Sequence, residues 1–284
     1  MDILHSVADV RARVAQWRRD GLSVGLVPTM GNLHDGHLSL VHTARDHCDA
    51  VVVSVFVNPT QFGPGEDFDA YPRTLDADAD RLRDAGVEVL FAPSVDEMYP
   101  LGANHTWVDV DGLGDYLCGA DRPGHFRGVA TVVSKLFHIV QPDVAVFGEK
   151  DFQQLAILRR MTEELLFPIR IVGAPIARDA DGLAMSSRNG YLSDQERARA
   201  PRLQHHLDQA RRALETGERD FRELEARTAA ALSAEGFEVD YVTVANARTL
   251  APADAGDRDL VIAAAARLGK PRLIDNLALT LPAS

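Results

Sequence analysis

Apolar residues fall into short runs separated by helical stripes over the first 175 residues. Leu22–Val27, Ala50–Val57, Val87–Ala92, Val144–Phe147 and Ile169–Val172 are mostly apolar and mostly rich in valine or isoleucine, as strands buried on both faces require. His105–Val110 reads as a further strand. Between the runs, Ser39–His47, Arg127–Val140 and Phe152–Leu165 read as helices. In the second of these, apolar residues at 129, 132, 133, 136, 137 and 140 make one helical face. Strand alternating with helix predicts an α/β fold, a doubly wound, Rossmann-like parallel sheet that binds ligands at the carboxyl ends of its strands.

The pattern changes after Pro175. Long Arg/Glu/Ala-rich helices are expected over Asp194–Glu215 and Asp220–Ala234, then strands at Val239–Val244, Leu260–Ala266 and Arg272–Leu279. Residues 1–175 are therefore expected to form the Rossmann-like α/β domain. Residues 176–284 are expected to form a smaller C-terminal α+β domain, joined through Ala177–Gly190. Residues 58–75 have no period and are punctuated by glycine and proline. Phe62, Phe68 and Tyr71 favour a packed flap over a linker there.

Chemistry concentrates at the ends of the apolar runs. Residues 28–37 read Pro-Thr-Met-Gly-Asn-Leu-His-Asp-Gly-His, between the first strand and the next helix. A helix start offers unpaired N–H groups and partial positive charge, which suit phosphate. His34 and His37 there can hydrogen-bond a phosphate oxygen or a leaving group. For two histidines in isolation, helix capping and solvation would be the plainer account. The flanking strand, Gly31 and Gly36 favour phosphate contact, since glycine lets backbone approach a ligand. A zinc-protease helix needs histidines four apart with a glutamate between, which is absent.

Gly148-Glu-Lys-Asp-Phe-Gln-Gln154 follows the Val144–Phe147 strand and opens a helix. The chain has only three lysines, Lys135, Lys150 and Lys270. Lys150 is placed to offset charge on an α-phosphate, Asp151 to cap the helix and Gln154 to reach a polar substrate. Met185-Ser-Ser-Arg-Asn189 offers two hydroxyls and a forked donor suited to a polyphosphate, although Ser-Ser-Arg alone also reads as a helix cap.

Other chemistry is disfavoured. The net charge is −12 and no basic run exists, which argues against nucleic acid as partner. Cys48 and Cys118 are too far apart and too few for a disulfide framework or zinc knuckle, and suit reduced thiols of a cytoplasmic protein. No signal-peptide pattern or membrane-length apolar run is present. Walker-A, Gly-x-Gly-x-x-Gly and Gly-x-Ser-x-Gly motifs are missing. The acidic alternation from Asp76 carries Arg81 and Val87 where a calcium loop needs glycine and glutamate.

Five segments together closely resemble the pantothenate synthetases, the pantoate–β-alanine ligase family of the HIGH-type nucleotidylyltransferase superfamily. They are PTMGNLHDGHLSLV at 28–41, VSVFVNPTQFGPGEDFDAYPRT at 53–74, RPGHFRGVATVVSKLF at 122–137, FGEKDFQQL at 147–155 and DGLAMSSRNGYLS at 181–193. The resemblance implies ATP-dependent condensation of pantoate with β-alanine through a pantoyl-adenylate, with AMP and pyrophosphate released. It implies that Met30, Gly31, Asn32, Leu33, His34, Asp35, Gly36 and His37 line the ATP site, with His37 as proton donor. It places Gly148, Glu149, Lys150, Asp151, Ala177, Met185, Ser186, Ser187 and Arg188 on ATP as well. In this reading the backbone at Ala177, usually valine or isoleucine in the family, reads adenine. Gln61 is assigned to pantoate and β-alanine, and Gln154 to pantoate. Mg2+ on the phosphates, with no protein ligand named, a homodimer and a C-terminal lid are also implied. A related nucleotidyl transferase or a non-catalytic nucleotide-binding module would use the same scaffold.

Overall fold

The computed structural model describes residues 1–102 and 105–282. The chain divides into two compact units, one of Met1–Val110, Arg122–Glu149 and Ile157–Pro175, the other of Asp111–Asp121, Lys150–Ala156 and Ile176–Ser284. Among the described residues, the elements up to residue 175 run β1 (Asp2–Leu4), α1 (Val7–Arg19), β2 (Val24–Thr29), α2 (Asp35–Arg45), β3 (Ala50–Val55), α3 (Leu75–Asp84), β4 (Val89–Phe91), α4 (Val95–Met98), α5 (Cys118–Asp121), α6 (His125–Val140), β5 (Val144–Gly148), α7 (Phe152–Glu164) and β6 (Arg170–Ala174).

The first unit holds a six-stranded, wholly parallel sheet of order β1-β4-β3-β2-β5-β6. Valines of β2 and β3 alternate between its faces. Val27, Val51 and Val53 pack with Val41 and Ala44 of α2 and with Ala79 and Leu82 of α3. The chain builds outward from β2 through β3 and β4, then returns to lay β5 on the other side of β2, pairing Gly25 with Val144 and Leu26 with Ala145. That reversal is a topological switch point, where segments leaving the carboxyl ends of neighbouring strands diverge and open a crevice. Residues 30–34 leave β2 at this point, and Gly148–Glu149 leave β5. Inside the sheet, Gly25 accommodates Cys48, whose sulfur would lie 2.3 Å from a Cβ at that position. Burial, with Asp143 nearby, pushes the Cys48 thiol up to about 11, so it is a packing group rather than a nucleophile.

The second unit carries α8 (Asp194–Arg199), α9 (Arg202–Glu215), α10 (Phe221–Ala234), β7 (Glu238–Asn246), β8 (Asp259–Arg267) and β9 (Arg272–Thr280). The three strands form an antiparallel sheet of order β7-β8-β9. Leu203, Leu207 and Leu214 of α9 and Leu224 and Leu232 of α10 share a core with Leu260, Ile262 and Leu273 of the sheet.

Two expectations are corrected. The helix expected over Asp194–Glu215 is two helices, α8 and α9, with Ala200–Pro201 between them. Proline has no N–H to donate and crowds the preceding turn, so the ladder breaks there. His105–Val110 is not a strand. Its backbone is held by a side chain instead: Val108 N–H donates to the Thr131 hydroxyl at 2.9 Å, leaving no ladder to join.

Candidate active site

The segment leaving β2 is held from below. Thr29 Oγ1 donates to Ser54 O at 2.8 Å and accepts from Gly31 N–H at 3.2 Å. Gly31 and Asn32 both take positive φ, +86° and +52°, which turns the chain sharply. A Cβ on Gly31 would lie 3.0 Å from both Asp78 Oδ2 and Val55 Cγ1, so glycine is the residue that fits.

Asp78 was not singled out by the sequence. It belongs to α3 and is 2 % exposed. Asn32 N–H donates to its Oδ2 at 2.9 Å and Leu33 N–H to its Oδ1 at 2.8 Å, while the Thr74 hydroxyl donates to Oδ2 at 3.2 Å. One carboxylate thus satisfies two consecutive loop amides, the second fully buried. Asp78→Ala is expected to lower unfolding stability by about 2–4 kcal/mol, since each stranded amide costs about 1–3 kcal/mol. Denaturant unfolding checks this, and a loss below about 0.5 kcal/mol would show that something else holds the loop.

The held loop presents the two histidines. Helix α2 starts earlier than expected, at Asp35, so His34 is its N-cap and His37 lies in its first turn. Gly36 N–H donates to His34 Nδ1 at 3.1 Å, and His34 N–H donates to His37 Nδ1 at 3.3 Å. The plain capping role is therefore realised. An Nδ1 that accepts carries no proton, so each neutral ring keeps its proton on Nε2. The rings lie tilted at 45° to each other with centroids 4.1 Å apart. The result is a pair of Nε2–H donors at a helix N-terminus, beside the switch point.

Gln61 joins this group. Its Nε2 lies 3.2 Å from Met30 Sδ, and its Oε1 accepts from Asn58 Nδ2 at 3.1 Å. Asn58 is itself buried, its Oδ1 accepting from the Tyr99 hydroxyl at 2.6 Å and the Thr60 hydroxyl at 3.0 Å. Lys135 closes the chain: its ammonium sits 3.9 Å from the Tyr99 ring centroid and donates to Met98 O at 2.8 Å. Burial lowers its pKa, and its contacts with Met98 and Tyr99 give it a structural role. The flap beyond is packed by aromatic rings, with Phe62 5.3 Å from Phe68 and 6.0 Å from Tyr71. Arg122 forks onto Glu66 at 2.8 and 2.7 Å and holds that carboxyl below its usual range. Tyr99 carries no local motif, and Asn58, although it lies in the 53–74 segment, was not singled out; their burial reveals them.

Two further segments carry the other candidates. Gly148 ends β5, and Glu149–Asp151 form a 3-10 turn that runs into α7. A Cβ on Gly148 would lie 3.8 Å from Leu40 of α2, which puts the end of β5 against the helix that His34 caps. Of the paired glutamines, Gln153 is buried and donates to Leu113 O and Tyr116 O at 2.8 and 2.7 Å, whereas Gln154 is half-buried. Residues 177–185 make a small hairpin: Arg178 bridges Ala184, and Met185 N–H donates to Ala177 O at 2.9 Å. Ser186 Oγ accepts from Arg188 N–H at 3.3 Å and caps the 3-10 turn Ser187–Tyr191. Met185, Ser186, Ser187 and Arg188 are all half-buried.

Comparison with known proteins identifies the family. Residues 2–278 match the family model described as pantoate-beta-alanine ligase. The pantothenate synthetase of Alcanivorax borkumensis is 68 % identical over 281 residues, covering 99 % of each chain. The crystal structure of pantothenate synthetase from Thermus thermophilus superposes with a TM-score of 0.92 at 47 % identity, covering 99 % of this chain and 100 % of that one. The pantoate-beta-alanine ligase of Francisella tularensis, solved complexed with beta-gamma ATP and beta-alanine, gives 0.81 at 32 % identity, covering 98 % and 97 %. Matched from end to end in sequence and in fold, the chain belongs to the pantoate–β-alanine ligase family, enzymes that join pantoate to β-alanine.

Proposed function

We propose that this chain makes pantothenate in two steps at one site. A pantoate carboxylate oxygen attacks the α-phosphorus of ATP, the bond to the β-phosphate oxygen breaks, and pyrophosphate leaves. The amine of β-alanine then attacks the acyl carbon of pantoyl-adenylate, the bond to AMP breaks, and the amine sheds a proton as pantothenate forms. A free carboxylate is a poor acyl donor because its oxygen leaves badly, and adenylation converts that oxygen into a good leaving group. Positioning and charge stabilisation supply most of such a rate.

The observation that carries the reading is the pair of imidazoles whose Nδ1 atoms both accept backbone N–H, which puts an Nε2–H donor on each ring at the start of α2. In this reading His37 donates to the departing pyrophosphate, His34 steadies the phosphates, and Lys150 offsets charge on the α-phosphate. Met30–His37, Gly148–Asp151, Ala177 and Met185–Arg188 hold ATP. Gln61 holds pantoate and β-alanine, and Gln154 holds pantoate. The contact between Gln61 and Met30 supports an acid-binding slot beside the nucleotide. The Francisella relative, with its nucleotide and β-alanine, supports the choice of substrates.

Mg2+ enters as part of the nucleotide substrate. Among the described residues no three His, Cys, Asp or Glu side chains cluster into a protein cage. Magnesium needs none, since it keeps water and phosphate oxygens as most of its ligands. Residues 176–284 serve as the lid of a cytoplasmic homodimer. Two free thiols suit a reducing compartment, and no helix among the described residues is long and apolar enough to cross a membrane.

Protein mixed with ATP, magnesium and pantoate should release pyrophosphate, and β-alanine should then release AMP and pantothenate. ADP in place of AMP, or turnover indifferent to β-alanine, would overturn the assignment.

A further inference from the structure

Asp275 and Asn276 are adjacent in β9, and each is 4 % exposed. Two polar residues side by side within a strand are unfavourable by propensity, and successive side chains point to opposite faces. Here each has a specific partner. Arg178 forks onto Asp275, Nη1 to Oδ2 at 2.7 Å and Nη2 to Oδ1 at 2.8 Å. The same guanidinium donates to Gly182 O at 3.0 Å, so it ties both arms of the 177–185 hairpin to β9. Asn276 Nδ2 donates to the Lys150 carbonyl at 2.9 Å. Across the sheet, β8 presents only Ala264 and Ala263 opposite them.

We propose that Asp275 and Asn276 are positioning residues for the nucleotide: one strand of the second sheet sets the Lys150 turn and the hairpin before Ser186–Arg188 in a common register. The inference rests on the adenylation reading above. Stability does not account for the pair, because a buried ion pair is often matched by apolar side chains of similar volume. What a forked pair supplies is geometry. Lys150 and Arg188 reach phosphate from long flexible stems, so their effect depends on where their backbones are rooted. A displacement near 1 Å is enough to cost about a hundredfold in rate.

The test is pantoate-dependent exchange of labelled pyrophosphate into ATP, which reads adenylation without β-alanine. Asn276→Ala and the isosteric Asn276→Asp both remove the donor to Lys150, and Asp275→Asn breaks the fork. Each is expected to slow exchange about tenfold or more at a temperature where circular dichroism shows it folded, with the steady-state KM for β-alanine within about twofold of wild type. Asp275→Glu, which keeps the charge, should recover part of the loss. Exchange at the wild-type rate in folded Asn276→Ala and Asn276→Asp overturns the inference, whatever their Tm. Should Asp275→Asn not fold, the two Asn276 variants decide. Wild-type protein that shows no pantoate-dependent exchange overturns the adenylation reading and this inference with it.

Discussion

His37→Ala and Lys150→Ala should each lower the rate of pantothenate formation by roughly a hundredfold or more, the usual consequence of removing a donor aimed at developing charge. A hundredfold is about 2.7 kcal/mol of transition-state stabilisation. For His37 this must be separated from its structural task, because its Nδ1 accepts the His34 N–H at 3.3 Å. Losing a helix-capping contact costs about 1 kcal/mol of stability, which leaves the enzyme folded at assay temperature. The two effects therefore diverge: a small fall in Tm beside a large fall in kcat. Lys150→Arg keeps the charge but spreads it over a planar fork, so it should recover little of the rate. Initial rates at saturating substrates, with Tm measured on the same samples, check all three variants. Near-normal rates for both alanine variants would remove these side chains from the chemistry.

The parallel sheet was legible because its strands are short apolar runs with little alternation. β3 is the plainest case, Ala-Val-Val-Val-Ser-Val, buried at every position but the last. Helix α6 was legible for the opposite reason, a stripe of period 3.6. The candidate residues of the first unit lie at the ends of these elements, so motif and topology pointed to one place on the first sheet. Elements outside the expectation had weaker signals. β1 has three residues and, among the described residues, pairs only with β4. Helix α1 does carry a stripe, Val10, Val14 and Trp17, but in an otherwise charged segment. In α3, the acidic alternation from Asp76 is a helix whose Asp78 faces inward.

Asp78 shows why a site is harder to read than a fold. A buried carboxylate is stable only where donors meet it, and its two backbone donors, Asn32 and Leu33, lie 46 and 45 residues away in sequence. No local pattern encodes that pairing. Asn58 and Tyr99 behave alike, being ordinary residues made consequential by a 2.6 Å contact across 41 positions. Glycines are intermediate: Gly31 stood out from its motif, whereas the constraint on Gly128 exists only in three dimensions.

Gly128→Ala should be strongly destabilising, although alanine in place of glycine within a helix ordinarily gains up to about 1 kcal/mol. Gly128 lies near the start of α6, directly over the 3-10 turn Pro59–Gln61. A Cβ there would sit 2.3 Å from Thr60 O, 2.7 Å from Thr60 C and 2.9 Å from Gln61 Cα. All three are backbone atoms, so no side chain can rotate away and the turn itself must move. Overpacking of this kind costs about 1–3 kcal/mol or more, which exceeds the helical gain. Movement also reaches function. Gly128 O accepts from Asn58 Nδ2 at 3.3 Å, and the same amide holds Gln61 Oε1. Displacing Gln61 should raise the KM for pantoate about tenfold or more and leave the KM for ATP nearly unchanged. Gly114→Ala is the control, since a Cβ there meets nothing within 4 Å; it should stay within about 0.5 kcal/mol of wild type. Urea unfolding and substrate titrations of the two variants make the comparison. Equal stability for both would mean that the turn yields freely, and Gln61 would then owe its place to something other than the close approach of α6.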